Sequence, residues 1–217
     1  MLDIFQNKKA IIFDLDGTLV DSMWIWDTII EEYLDGFCIS NGPKLKEFIN
    51  YMHISKVAEY INDRYELRKS GAQVMVDWNK HVIEQHRNRV EIIPGAKDFL
   101  DYVKAAGIRL CVATESGGEV VEIALKEKGL FEYFEFLICA DDVGVGKTSN
   151  KIFTESANRL GASPKETIVF EDALYAIKTA VAAGFEVVGV DEKYQRHNSA
   201  EIKKLTKIFI RDYHELL

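Results

Sequence analysis

The chain has 217 residues, with 35 Asp and Glu against 27 Lys and Arg, a formal charge of −8 and a pI near 5.2. That balance argues against a nucleic-acid partner, whose binding rests on clustered Lys and Arg, while an anionic substrate stays open to a locally positive site. No stretch approaches membrane-spanning length, the apolar run after Lys8 and Lys9 is too short for a signal peptide, and Cys38, Cys111 and Cys139 form no CxxC pair, so a soluble cytoplasmic protein with reduced thiols and no membrane partner is expected.

The first element is the run Ala10-Ile11-Ile12-Phe13. Continuous rather than alternating hydrophobicity marks a strand covered on both faces, as in a parallel α/β sheet. It ends in Asp14-Leu15-Asp16-Gly17-Thr18-Leu19-Val20-Asp21-Ser22. The carboxyl end of such a strand opens toward the ligand crevice. Two acids there are costly unless a cation or a reaction uses them. One acid can attack as a nucleophile while the other moves a proton. Asp is also an ordinary turn former, so a bare DxD would say little.

From about Ser22 to Ile92 the chain is rich in helix formers and aromatics, carries the turn signal Asn41-Gly42-Pro43, and shows no convincing strand. This predicts an all-helical insertion. Ile93-Pro94-Gly95 then returns the chain to a different pattern. Strands are expected at Ile108–Ala113, Phe136–Cys139, Thr167–Phe170, Glu186–Val190 and Lys207–Ile210. Helices are expected from near Gly95, Gly117, Asn150 and Ala173, with Gly107, Gly129, Gly161 and Gly184 as their C-terminal stops. Alternating strand and helix implies a doubly wound parallel sheet. The fold class is therefore α/β: residues 1–20 and 92–217 form the catalytic core, and 21–91 a small helical domain inserted after the first strand.

Three later stretches carry chemistry. Thr114 follows the strand Ile108–Ala113, where a hydroxyl and the N–H groups of a turn can donate to a phosphoryl oxygen; an N-cap role for Thr114 or Ser116 is the plainer alternative. Lys147 closes Asp141-Asp142-Val143-Gly144-Val145-Gly146-Lys147, and an ammonium beside two acids would offset the charge of an incoming phosphate. Glu171-Asp172 follows Thr167–Phe170. Acids here could favour a helix N-terminus, or meet Asp14 in a hard oxygen site suited to Mg²⁺.

Together these strings resemble the four motifs of the haloacid dehalogenase (HAD) superfamily: D-x-D-G-T-L-V-D-S, the strand-end Thr114, D-D-V-G-x-G-K and V-F-E-D-A followed by Ala180-Val181-Ala182-Ala183-Gly184. The resemblance covers nearly the whole chain, and the insertion matches that family's C1 cap. It implies that Asp14 forms an aspartyl-phosphate and that Asp16 protonates the leaving oxygen and then activates water. It implies Mg²⁺ held by Asp14, the Asp16 carbonyl, Asp172 and Glu171, with Thr114 and Lys147 contacting the phosphoryl group. There are two departures. Relatives continue K-P-x-P-D-x-F where this chain has Lys147-Thr148-Ser149-Asn150-Lys151-Ile152-Phe153, which should loosen the loop. Glu115 stands where relatives have a small or neutral polar residue, and it either points away from the phosphate or recognises a substrate's hydroxyl groups.

The resemblance favours a Mg²⁺-dependent phosphohydrolase acting on a small phosphorylated metabolite, such as a sugar phosphate. An Asp at position 16 speaks against dehalogenase or phosphonatase chemistry. A β-phosphoglucomutase-like phosphosugar mutase is the alternative. Relatives of that kind have a His where this chain has Trp26 and a cap Ser-Arg pair that Ser55-Lys56 only faintly echoes. A non-catalytic protein that binds a phosphorylated metabolite is a third reading, though pure binding needs no nucleophile and acid together. Trp24 and Trp26 open the insertion as core aromatics, or Trp26 lines the substrate pocket. His53, Lys56 and Arg64 are cations that could meet an anionic end, and His81 and His86 are assigned no metal. A monomer is expected.

Overall fold

The computed structural model describes residues 3–40, 45 and 54–217. The turn signal at 41–43 and His53 lie outside the described residues. The chain divides into two compact units, one made of Met1–Met23 with Val90–Leu217 and the other of Trp24–Arg89.

The first unit is built on strands β1 (Ala10–Phe13), β2 (Val20–Asp21), β3 (Glu91–Ile92), β4 (Arg109–Thr114), β5 (Phe136–Cys139), β6 (Thr167–Glu171), β7 (Glu186–Val190) and β8 (Ile208–Ile210). Six of them form one parallel sheet in the order β5-β4-β1-β6-β7-β8. β1 sits inside the sheet and all four of its residues are fully buried, as its unbroken apolar run requires.

Both faces of the sheet are covered. On one, Ile12, Cys111, Ala113, Ile138 and Val169 pack with Ile152, Phe153, Ala157, Ala176, Ile177 and Ala180 of the helices Lys151–Arg159 and Leu174–Ala182. On the other lies an aromatic cluster. Phe13 stacks on Phe170 at 4.8 Å between ring centroids, Phe170 stacks on Tyr213 at 5.6 Å, and Phe99 of the helix Ala96–Ala105 meets Phe170 at 5.3 Å. Gly107, Gly129, Gly161 and Gly184 all have positive φ just beyond a helix, as stops without a Cβ penalty.

Some strand ends and one short ribbon differ from the pattern read along the chain. The strand expected at Ile108–Ala113 runs Arg109–Thr114, so Thr114 is its last residue, and β6 extends to Glu171. The short antiparallel ribbon β2–β3, with Val20 opposite Ile92 and Asp21 opposite Glu91, was not expected. Two residues per strand are too few to leave an alternation.

The second unit has the helices Met23–Asp35, Ile54–Tyr65 and Gly71–Asn88 among its described residues. The last begins in a reciprocal capping box: Ser70 Oγ accepts from the Gln73 N–H, and the Ser70 N–H donates to Gln73 Oε1. Its core contains Ile25, Ile29, Val57, Ala58, Ile61, Val74, Trp78 and Val82. Trp78 packs edge-on against Tyr33 at 5.9 Å, and the Arg89 guanidinium lies 4.4 Å from the Trp24 ring centre.

Candidate active site

Strand register sets the site. Phe13 is level with Val112 on β4 and Phe170 on β6, so Asp14, one residue on, emerges beside Glu171 at the carboxyl end of the sheet. The Asp14 N–H still donates to the Phe170 carbonyl at 3.0 Å, which carries the strand pairing up to the acid. The chain then turns tightly. The N–H groups of Thr18, Leu19 and Val20 all point at the Leu15 carbonyl, at 3.3, 2.9 and 3.2 Å. Gly17 has φ +81°, and a Cβ there would stand 2.9 Å from Asp172 Oδ2 and from Glu192 Cγ. Glycine is therefore needed twice over, for the left-handed backbone and for the approach of Asp172.

Lys147 is the centre of charge. Its side chain is buried, and its ammonium donates to Asp14 Oδ1 and, at 2.7 Å, to Glu171 Oε2. Glu171 Oε1 accepts from the N–H groups of Asp172 and Ala173 at 3.2 and 3.1 Å. Asp172 Oδ1 accepts from the Thr18 hydroxyl at 3.3 Å. Asp14, Glu171 and Asp172 each present a carboxylate oxygen, all within 4.8 Å of one another and all buried.

One ammonium does not balance three buried carboxylates. Burial pushes the Asp14 carboxyl up to about 8, with Glu171 and Asp16 adding to the effect and Lys147 opposing it. Asp172 is raised by burial first, then by Glu171 and Asp14. Burial alone would pull the Lys147 ammonium down. Asp14 and Glu171 outweigh that and raise it above its usual range. The donors are all hard oxygens, without sulfur or imidazole, which suits Mg²⁺ rather than a softer metal.

Asp16 is placed differently. Ser22 donates to its Oδ1 at 2.5 Å and Ser116 to its Oδ2 at 2.6 Å, and its carboxylate is not one of the three that cluster. Thr114 is buried, and its Oγ1 accepts from the Ser116 N–H at 3.1 Å. The helix Gly118–Glu127 starts after Gly117 without a side-chain cap, so neither Thr114 nor Ser116 serves as its N-cap. The structure thus brings together Asp14, Asp16, Thr114, Glu115, Lys147, Glu171 and Asp172. Trp26 and Lys56 belong to the helical unit, where Trp26 is half-buried and Lys56 is exposed and paired with Glu59 at 2.8 Å.

The Thr18 and Ser22 hydroxyl bonds to the acids, that of Tyr175 to Glu115 Oε2 at 2.7 Å and that of Tyr213 to the Thr18 carbonyl at 3.1 Å were not anticipated. Thr18 and Ser22 stood within the D-x-D string, where a hydroxyl near two acids was a usable signal. Tyr175 and Tyr213 offered none.

This chain belongs to the haloacid dehalogenase-like hydrolase family, whose model matches residues 11–190. A Drosophila melanogaster protein named "Probable pseudouridine-5'-phosphatase" is 28% identical over 201 residues, covering 87% of this chain and 84% of the other. Hexitol phosphatase A of Escherichia coli (strain K12) is 27% identical over 185 residues, covering 84% of this chain and 83% of its own. Among solved structures, CbbY from Rhodobacter sphaeroides, crystallised with phosphate, superposes with a TM-score of 0.78 at 22% identity over 96% of each chain.

Proposed function

We propose that this hydrolase is a Mg²⁺-dependent phosphatase that removes the phosphate of a small phosphorylated metabolite, of the sugar-phosphate class, through a phosphoenzyme on Asp14. The observation that carries the reading is the division of labour between the two acids. Asp14 is bound to Lys147 within the group of three carboxylates, while Asp16 stands apart on two serine hydroxyls. Similarity to proteins named as phosphatases, one of them for hexitols, supports the substrate class.

In this reading an Asp14 oxygen attacks phosphorus and forms an O–P bond as the ester oxygen leaves. Asp16 gives its proton to that oxygen, takes one from water, and the resulting hydroxide displaces Asp14 to release inorganic phosphate. Lys147 holds the nucleophile and offsets charge on the phosphoryl oxygens. Thr114 and the N–H groups after it would receive the phosphate. Asp14 and Asp172, with Glu171 and the Asp16 carbonyl, would hold Mg²⁺, which when bound neutralises phosphate charge and orients the group for in-line attack. The helical unit, with Trp26 and Lys56, is then the part of the chain that selects substrate.

Phosphate release from a panel of phosphorylated metabolites, with and without Mg²⁺, tests this for wild type and Asp14→Asn. The expected result is Mg²⁺-dependent turnover that falls about 10⁴-fold or more in Asp14→Asn. Isomerised sugar phosphate without net phosphate release would replace hydrolysis by mutase chemistry, and turnover unaffected in Asp14→Asn would remove the nucleophile from the scheme.

A further inference from the structure

Glu115 directly follows β4, and both its carboxylate oxygens are engaged by other groups of the protein. Oε1 accepts from the backbone N–H of Lys147 at 2.6 Å, and Oε2 accepts from the Tyr175 hydroxyl at 2.7 Å. The carboxylate is so close to the lysine loop that a Cβ on Gly146 would lie 2.4 Å from Oε1. One side chain thus links the end of β4, the loop before Lys147 and the helix Leu174–Ala182 that follows Asp172.

The chain around Lys147 is tied by polar contacts. The Lys151 ammonium donates to the Val143 carbonyl at 2.7 Å, the Ser149 N–H to the Gly146 carbonyl at 3.1 Å, and the Lys147 N–H to Glu115. Of these, only the Glu115 bond fixes the backbone of the lysine itself. A lysine ammonium rides on a flexible four-carbon stem, so where its backbone is held decides whether the ammonium stays between Asp14 and Glu171.

We propose that Glu115 is a positioning residue for Lys147: its carboxylate, steadied by Tyr175, holds the Lys147 backbone and keeps the ammonium on the nucleophile. This rests on the phosphatase reading above, and it assigns Glu115 to the protein's own loop and not to a substrate hydroxyl. A bond from a backbone N–H to a carboxylate is charge-assisted and short, which suits that task. An error of about 1 Å in placing a group at the reacting centre can cost about 10²-fold in rate.

The experiment compares Glu115→Ala, Glu115→Gln and Tyr175→Phe with wild type, using p-nitrophenyl phosphate and the best ester of the metabolite panel, with amide hydrogen exchange over residues 144–150. Glu115→Ala is expected to lower kcat by about 10- to 10²-fold with KM little changed, and to speed exchange at Lys147. Glu115→Gln keeps an oxygen that accepts the Lys147 N–H, so it restores most of the rate and the exchange protection. Tyr175→Phe should fall between them. If Glu115→Ala raises KM or reorders the preferred esters while kcat holds, Glu115 touches substrate and the proposal is wrong. It is equally wrong if Glu115→Gln is as slow as Glu115→Ala, or if Lys147 exchange does not change. Asp14→Asn in the same assay separates the two claims. Its continued turnover sinks the phosphoenzyme on Asp14 on which the reading rests, whereas a silent Asp14→Asn beside a fully active Glu115→Ala sinks only the role of Glu115.

Discussion

The Tyr213 hydroxyl donates to the carbonyl of Thr18 at 3.1 Å, joining the last turn of the chain to the loop that carries both motif acids. The ring is fully buried, stacked on Phe170 and tilted against Phe99, and the Tyr213 N–H donates to the Pro94 carbonyl at 2.9 Å. The loop Asp14–Ser22 is thus braced from the face of the sheet opposite the helices Lys151–Arg159 and Leu174–Ala182.

Tyr213→Phe keeps the ring and orphans a buried carbonyl. The expected cost is about 1–3 kcal/mol. In a protein of this size each kcal/mol lowers Tm by about 2–4 °C. Thermal unfolding by circular dichroism checks it, and an unchanged Tm would mean that the Thr18 carbonyl finds another partner.

Gly17→Ala should damage both fold and metal affinity. Its φ of +81° costs a residue with a Cβ about 1–2 kcal/mol, and the new methyl would press on Asp172 Oδ2. The measurement is Mg²⁺ titration of the variant by calorimetry. Wild-type affinity in a folded variant would show that Asp172 gives way without consequence.

Magnesium should stabilise the protein, and Asp172→Asn should remove the effect. In the metal-free state Asp172 is strained by burial and by Glu171 and Asp14. Its neutral amide should therefore raise Tm in EDTA, while the gain on adding Mg²⁺, about 2.7 kcal/mol at a hundredfold excess over Kd for wild type, should disappear. Equal Mg²⁺ shifts in the two proteins would place the ion elsewhere.

The thiols give a prediction on pH. Burial pushes Cys111 up to about 12 from 9.0, so the folded state keeps that proton where the unfolded chain loses it. The stability this contributes is complete below pH 9 and is lost as pH rises through 12. Cys38 is exposed, while Cys111 and Cys139 are buried. At pH 8 a disulfide reagent should consume the Cys38 thiol in the native protein and the other two only after denaturation. Cys111→Ala should flatten the stability decline between pH 9 and 12, and rapid native labelling of all three would contradict the buried assignment.

What could be read along the chain was whatever depends on neighbours in sequence. The unbroken run Ala10–Phe13, the acids just after it, and the glycines at 107, 129, 161 and 184 all express local rules of strand, turn and helix stop. Lys147 and Asp172 stood out because the strings around them, D-D-V-G-x-G-K and V-F-E-D-A, resemble family motifs. The partners of those groups were hidden for the converse reason. Tyr175 lies 60 positions from Glu115 and Tyr213 lies 195 from Thr18, and nothing in a tyrosine's surroundings in sequence says which distant group its hydroxyl meets. Glu115 was open to two readings, pointing away from the phosphate or recognising a substrate's hydroxyl groups, and its two bonds are visible only in three dimensions. The ribbon β2–β3 was missed because two residues show no period.

That ribbon has an architectural consequence. The chain leaves the sheet unit after Met23 and re-enters at Val90, and just before and just after those points Val20 is paired with Ile92 and Asp21 with Glu91. The Ile93 N–H extends the clasp by donating to the Leu19 carbonyl at 2.9 Å. Departure and return are therefore stitched together by contacts that use none of Trp24–Arg89. Each doubling of such an excursion adds only about 0.6 kcal/mol of closure entropy. The fold can thus exchange or enlarge its helical appendage at small thermodynamic cost, leaving Asp14, Lys147 and Asp172 where the sheet holds them.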